Sequence, residues 1–296
     1  MLGEVRCIAP VGDRCGEAAT WCEEENVLYW TDVNRFLIHA LDARTNAVRS
    51  WLFDEPVVAL SLTKDRDELL VALGSQLILW NKKTDARRDH GFRCAGWPDV
   101  RLNDGRAGPG GEFWIGSMAN NVGRQGEANE AIAGKGELYR VTQSAPPKLF
   151  KDKLGISNTV AWSPDNRIFY FGDTMKNTIW AYDYDDTTMS IAGERPYFAG
   201  FSRGHPDGSA VDSEGYLWNC RFGGSCVVRV APDGTVDRVV EMPVRNITTC
   251  TFGGSDLRTL YITTASILTD QSDRLAGSLF ALDVDVPGAA AFRAKV

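Results

Sequence analysis

Apolar residues along this chain fall in short alternating runs that recur at a steady interval. An aromatic and aliphatic core appears as Leu28-Tyr29-Trp30, Leu69-Leu70-Val71, Phe113-Trp114-Ile115, Phe169-Tyr170-Phe171, Leu217-Trp218-Asn219 and Leu260-Tyr261-Ile262. Their first members are 41, 44, 56, 48 and 43 residues apart. A turn rich in Asp, Glu, Gly or Asn precedes each, at residues 23–26, 64–68, 108–112, 164–167, 212–215 and 253–258. Another apolar stretch precedes the turn. After the aromatic strand come third strands at 37–41, 77–80, 138–141, 178–182, 227–230 and 279–282. A poorer fourth often follows, as at 48–53 and 236–240. Period-two runs rich in Val, Ile, Tyr, Phe and Trp favour strand over helix, and the best helical candidate is the short stretch 129–133. Three or four short antiparallel strands repeated in this way are the signature of propeller blades. The pattern predicts an all-β, six-bladed β-propeller, one domain over residues 1–296. Residues 4–10 are left over at the start and are expected to pair with the last blade. That closes the ring and removes the exposed edges of an open sheet.

The polar residues refine this picture. Counting back from each aromatic strand reaches the start of the blade's first, innermost strand. Glu17 and Asn158 lie 11 residues before Leu28 and Phe169; Asn103 and Asp207 lie 10 before Phe113 and Leu217. The matching places in the other two blades hold Val58 and Thr249. First strands line a propeller's channel, so these positions converge on one end of it. Two carboxylates and two amides, with no His or Cys, suit a hard or borderline divalent cation such as Ca²⁺, Mg²⁺ or Mn²⁺. Each of the four also fits ordinary turn chemistry when taken alone. It is their shared register that points to a site.

Composition adds limits. The 296 residues are 44% hydrophobic and 24% charged, ordinary for a soluble globular chain. The net charge of −7, mixed in sign, argues against nucleic acid and anionic membrane as partners. The first ten residues have no apolar core of a signal peptide, and no apolar run is long enough to span a bilayer. Seven scattered cysteines without C-x-x-C spacing read as buried thiols of a reducing compartment, hence a cytoplasmic protein. Gly200-Phe201-Ser202-Arg203-Gly204 matches a nucleophile elbow, but His205-Pro206-Asp207 leads into a strand rather than a helix. Residues 105–111 are glycine-rich but open no helix, which argues against a phosphate loop. The three histidines, His39, His90 and His205, are isolated, and only His205 neighbours the proposed site. Trp and Phe residues read as packing between blades.

Several of these segments resemble the gluconolactonase family, which includes regucalcin and the luciferin-regenerating enzymes. The motifs are Gly16-Glu17 with Trp21 and Leu28-Tyr29-Trp30-Thr31-Asp32, then Arg101-Leu102-Asn103-Asp104-Gly105 with Phe113-Trp114-Ile115-Gly116-Ser117-Met118. They continue with Asn158 and Trp162-Ser163-Pro164-Asp165, and with Pro206-Asp207-Gly208, Asp212 and Gly215. The resemblance implies a six-bladed propeller in which Glu17, Asn158 and Asp207 ligate one divalent metal ion, calcium or one of zinc, manganese, magnesium and iron. It also implies that Arg101 and Asn103 contact a sugar lactone. The chain departs from the family at Ala18-Ala19, where Gly-Pro is usual, and at Thr159, where Gly is usual. It also departs at Ser117, where Thr is frequent, and at Asn120-Asn121, where some members carry an acidic contact.

These residues suit a metal-dependent lactonase that opens an aldonolactone to its sugar acid in carbohydrate catabolism. Asp207 is the expected base, with Glu17 beside it. The chain would act as a monomer or weak homodimer. The alternatives are a non-catalytic calcium-binding propeller and a hydrolase of other esters or phosphotriesters. Residues 120–136, in the longest repeat, are expected to form a loop over the metal end.

Overall fold

The structure is a computed structural model describing residues 2–270 and 272–295. It contains six four-stranded antiparallel sheets. The inner strands are Gly16–Cys22, Val57–Leu62, Val100–Ala107, Ser157–Trp162, His205–Val211 and Asn246–Gly253. Each packs on the next, and the last packs on the first, so the strands ring a central channel. The chain is therefore the six-bladed propeller that the repeats predict.

The N-terminal strand Arg6–Ala9 pairs antiparallel with Leu279–Asp283 and supplies the sixth blade's outer strand. The first and last strands thus share one sheet, as the leftover N-terminal segment suggested. Residues 129–133 are not helical; the helical element among the described residues is one 3-10 turn, Thr174–Lys176.

Hydrophobicity follows position in the blade. Both faces of a blade meet neighbouring blades, so middle strands read as continuous apolar runs. Phe113–Ala119 is buried throughout, whereas the outer strand Lys148–Leu154 of the same blade is mostly polar and exposed. Six apolar clusters fill the six gaps between blades. Trp30, Trp80, Trp114 and Trp218 are fully buried within them. Each indole N–H, which would be costly to bury unpaired, donates to a carboxylate: Asp13, Asp85, Glu112 and Asp212 respectively.

Candidate active site

The inner strands are not regular where they begin. Each ladder slips early: between Glu17 and Thr20, Val57 and Ala59, Leu102 and Gly105, Asn158 and Ala161, Pro206 and Ser209, and Ile247 and Cys250. Such bulges leave residues unpaired and re-aim side chains. They also explain the two spacings in the sequence. Glu17 and Asn158 are the last paired residues before the bulge, while Asn103 and Asp207 are the first bulged ones. In the sixth blade Ile247, not Thr249, holds the last paired place, because that bulge spans Thr248 and Thr249.

Backbone conformation bears the mark of this distortion. Ala18 and Thr159, the first bulged residues of their blades, have φ of 55° and 54°. This is the left-handed region that glycine prefers and a β-branched residue avoids. The departures from the family's Gly at these two places are therefore paid in local strain.

The four polar residues come together at one end of the channel. Asn103 Nδ2 donates to Asn158 Oδ1 at 3.3 Å and to the Ser157 carbonyl at 2.8 Å. Arg101 Nη1 donates to Asn103 Oδ1 at 2.6 Å. Asn158 Nδ2 donates to Thr174 Oγ1, which in turn donates to the Pro206 carbonyl, both at 2.8 Å. Glu17 lies near enough to Asp207 for the charge of one to act on the carboxyl of the other.

Electrostatics at this end are those of crowded, desolvated acids. Burial first, then the charges of Asp207 and Asp104, holds the Glu17 carboxyl well above the usual range. Burial and Asp104 do the same to Asp207. Burial pushes the Arg101 guanidinium down to about 10, against the pull of Glu17 and Asp207. Two crowded, buried carboxyls cannot both ionise without a cation beside them; otherwise one keeps its proton.

Further residues complete the site that the sequence did not single out. Asp104 lies below the pair and accepts from Val160 N at 3.3 Å, stitching the third blade to the fourth. Asn121 Oδ1 accepts from Arg101 Nε and Nη2 at 3.1 and 2.8 Å, fixing the guanidinium plane. Asp32 accepts the amides of Arg14 and Cys15 and so holds the segment that delivers Glu17. Asp173 does the same for Gly155 and Ile156 ahead of Asn158. Arg221 is buried and grips the carbonyls of Arg203 and Gly204, just before the strand of Asp207. Asp32 and Asp104 stand in the motifs named above, and Asn121 in a departure from the family; Thr174 and Arg221 gave no signal, because their neighbours are distant in the chain.

Residues 120–136 lie across this end. The Asn34 amide of the first blade donates to Gly126 O at 2.9 Å, and Val122 is buried in a cluster with Val33. The loop thus leaves the third blade and reaches the first, over the second. His205 is exposed at the start of its strand. His39 is not isolated: it is buried, with Nε2 3.0 Å from Asp13 Oδ1 and Nδ1 2.7 Å from Ser50 Oγ. All seven cysteines are free; five are buried, but Cys7 is exposed and Cys15 half-buried, so the expectation of uniform burial does not hold.

The other end of the channel is different in kind. A cavity of about 350 Å³ there is lined by inner-strand residues such as Leu60, Ala161 and Val211 and contains none of the predicted site residues. The chain's last segment closes it. Ala289 N binds Val211 O, Ala294 N binds Leu62 O and Lys295 N binds Gly111 O, so this strap touches the fifth, second and third blades.

Among the described residues, no group of three or more His, Cys, Asp and Glu is placed to hold a metal ion. The converged set is of another composition, two carboxyls and an amide oxygen. No helix is long and apolar enough to cross a membrane.

Known proteins match this chain along its length. A 6-deoxy-6-sulfogluconolactonase of Pseudomonas putida is 34% identical, over 97% of each chain. The pentonolactonase XacC of Haloferax volcanii is 33% identical, over 96% of this chain and 95% of its own. The solved structure of a calcium-binding protein, regucalcin, from Agrobacterium tumefaciens superposes with a TM-score of 0.91 at 25% identity, covering 99% of this chain and 98% of that one. The profile described as SMP-30/Gluconolactonase/LRE-like region matches residues 15–266, and the chain belongs to that family.

Proposed function

We propose that this protein is a metal-dependent hydrolase that opens a sugar lactone, an aldonolactone, to the sugar acid, working as one propeller domain. The observation that carries the reading is the Arg101–Asn103–Asn158 hydrogen-bond chain at the end of the channel where Glu17 lies within reach of the Asp207 charge. The lactonase names of its relatives support the same reaction class.

The donor set fits a divalent cation. All three donors are oxygens, two of them carboxyls forced together out of water, a combination that hard cations favour. Glu17, Asn158 and Asp207 would hold the ion. When bound, it would supply Lewis acidity to the ester carbonyl and to water. The chain's own residues do the rest. Asp207 accepts the proton of the attacking water and returns it to the leaving ring oxygen. Arg101, locked by Asn121, aims its guanidinium at the polyol, and Asn103 sets the distance between it and Asn158. The loop 120–136 limits access of bulk water.

The test is a panel of five- and six-membered aldonolactones followed by proton release, with added Ca²⁺, Mn²⁺, Zn²⁺, Mg²⁺ or Fe²⁺ and a matched protein-free blank. Hydrolysis above the blank that chelation abolishes supports the reading. Rates never above the blank, with tight Ca²⁺ binding retained, would instead make this a calcium-binding propeller without catalysis.

A further inference from the structure

An inner strand is the edge of its blade, so a buried carbonyl there that faces away from its own sheet needs a donor from elsewhere. At each of the three proposed ligands that donor comes from the preceding blade. Thr248 Oγ1 of the sixth blade donates to Gly16 O, just before Glu17, at 2.5 Å. Asn103 Nδ2 of the third blade donates to Ser157 O, just before Asn158, at 2.8 Å. Thr159 Oγ1 of the fourth blade donates to Asp207 O at 2.5 Å. All three donors occupy the same place, the first bulged residue of their own inner strand.

We infer that Thr159 and Thr248 are positioning residues: they hold the backbone under Asp207 and Glu17 and so set the spacing of the donor oxygens. This rests on the proposed metal-dependent reading of the site. Both side chains are fully buried, so neither reaches substrate. Thr159 also shares a hydrogen bond with Ser209 Oγ at 2.9 Å, and Asn219 Nδ2 adds a second donor to Asp207 O at 3.3 Å. Thr248 is braced likewise by Thr263 Oγ1 at 2.8 Å. Thr159 stands at φ 54°, where glycine would fit without strain. Glycine has no hydroxyl to give Asp207, so a strained threonine here serves the clamp.

The variants Thr159→Val, Thr159→Gly and Thr159→Ser separate the hydroxyl from backbone strain and from packing. Mn²⁺ affinity is measured by titration calorimetry, thermal stability on chelated protein, and amide exchange over residues 207–209. Mn²⁺ binding should weaken about tenfold in Thr159→Val and Thr159→Gly and stay within about twofold in Thr159→Ser. Thr159→Gly should lose affinity without losing stability, a split that a merely structural role would not give. Thr248→Val should repeat the loss, with Thr248→Ser restoring it. Wild-type affinity in Thr159→Val or Thr159→Gly, or Ser variants no better than Val, overturns the inference. If wild type binds none of Mn²⁺, Ca²⁺, Zn²⁺, Mg²⁺ and Fe²⁺, the metal reading itself fails. Exchange on the metal-free protein still shows whether the hydroxyl holds the bulge.

Discussion

At one end of the channel the inner strands start with bulges, carry Glu17, Asn103, Asn158 and Asp207, and lie under a loop anchored at Asn34. At the other end the strands pair regularly, present Leu60, Ala161 and Val211, and are closed by residues 287–295. The strands are the same six, so the difference lies in what each end is asked to hold. A regular ladder satisfies its own backbone and leaves side chains to pack. A bulged ladder gives up pairing and turns oxygen donors inward, and the edge carbonyls beside them borrow hydrogen bonds from the neighbouring blade. The polar end is thereby assembled from cross-blade contacts, and the apolar end from packing.

The sharpest way to break this comparison is to remove a group from each end. Asp207→Ala should cut kcat/KM for the best lactone by more than about 100-fold, because it deletes the proposed ligand and the proposed base together. Ser213→Ala in the opposite cavity should leave kcat/KM within about twofold. Equal losses, read by proton release on folded protein, would deny the division of labour.

The next effect is on stability against pH. Glu17 and Asp207 hold protons more tightly in the folded chain than when unfolded. The folded state therefore binds more protons from about pH 4 upward to the raised values, and stability falls as pH rises through that window. Urea unfolding of chelated protein at pH 5 and pH 7 should show this fall. Saturating Mn²⁺ should reverse it, since a cation favours the ionised carboxylates. A Glu17→Gln, Asp207→Asn double variant should show a shallower fall, the remainder coming from the buried carboxyls of Asp13 and Asp104, and no reversal by Mn²⁺; an unchanged pH dependence would contradict the assignment.

Cutting the chain before Pro287 tests the closed end. It removes the strap's hydrogen bonds and the packing of Phe292 on Trp162, which should cost about 2–4 kcal/mol in urea unfolding. Activity per folded molecule should hold within about twofold. A selective loss of kcat would show that the two ends are coupled.

The smallest expected effect is on the loop. Gly126 has φ 80°, and a Cβ there would sit 1.8 Å from Asn34 O. Gly126→Ala should lift the loop and raise KM several-fold, with little change in the urea midpoint. Kinetics unchanged for every lactone would remove the loop from substrate binding.

Much of this was legible in the chain itself. The repeat of apolar runs counts six blades because every middle strand is buried on both faces, and burial leaves its trace in composition. Trp114 and Trp218 mark equivalent places for the same reason, while Trp30, one position later in its run, fills the gap on the opposite face. The polar register was legible too, to within one residue: Glu17 and Asn158 at one spacing, Asn103 and Asp207 at the other. The bulges that cause this one-residue difference were not, since a ladder slip depends on partner strands as well as on local residues. The placing of Thr249 failed on that point.

The sequence alone determined which residues carry oxygen donors and on which strands they sit, because strand periodicity and repeat length are local properties of the chain. Tertiary structure alone decided that Asn121 locks Arg101, that Gly126 meets Asn34, and that Thr159 and Thr248 support Asp207 and Glu17. The hydrogen-bonded residues lie 20, 92, 48 and, for Thr248 with Gly16, 232 positions apart in the chain. Hydrogen bonds of that reach leave no periodic trace; they exist only once ring closure brings neighbouring blades within about 3 Å of one another's edge carbonyls.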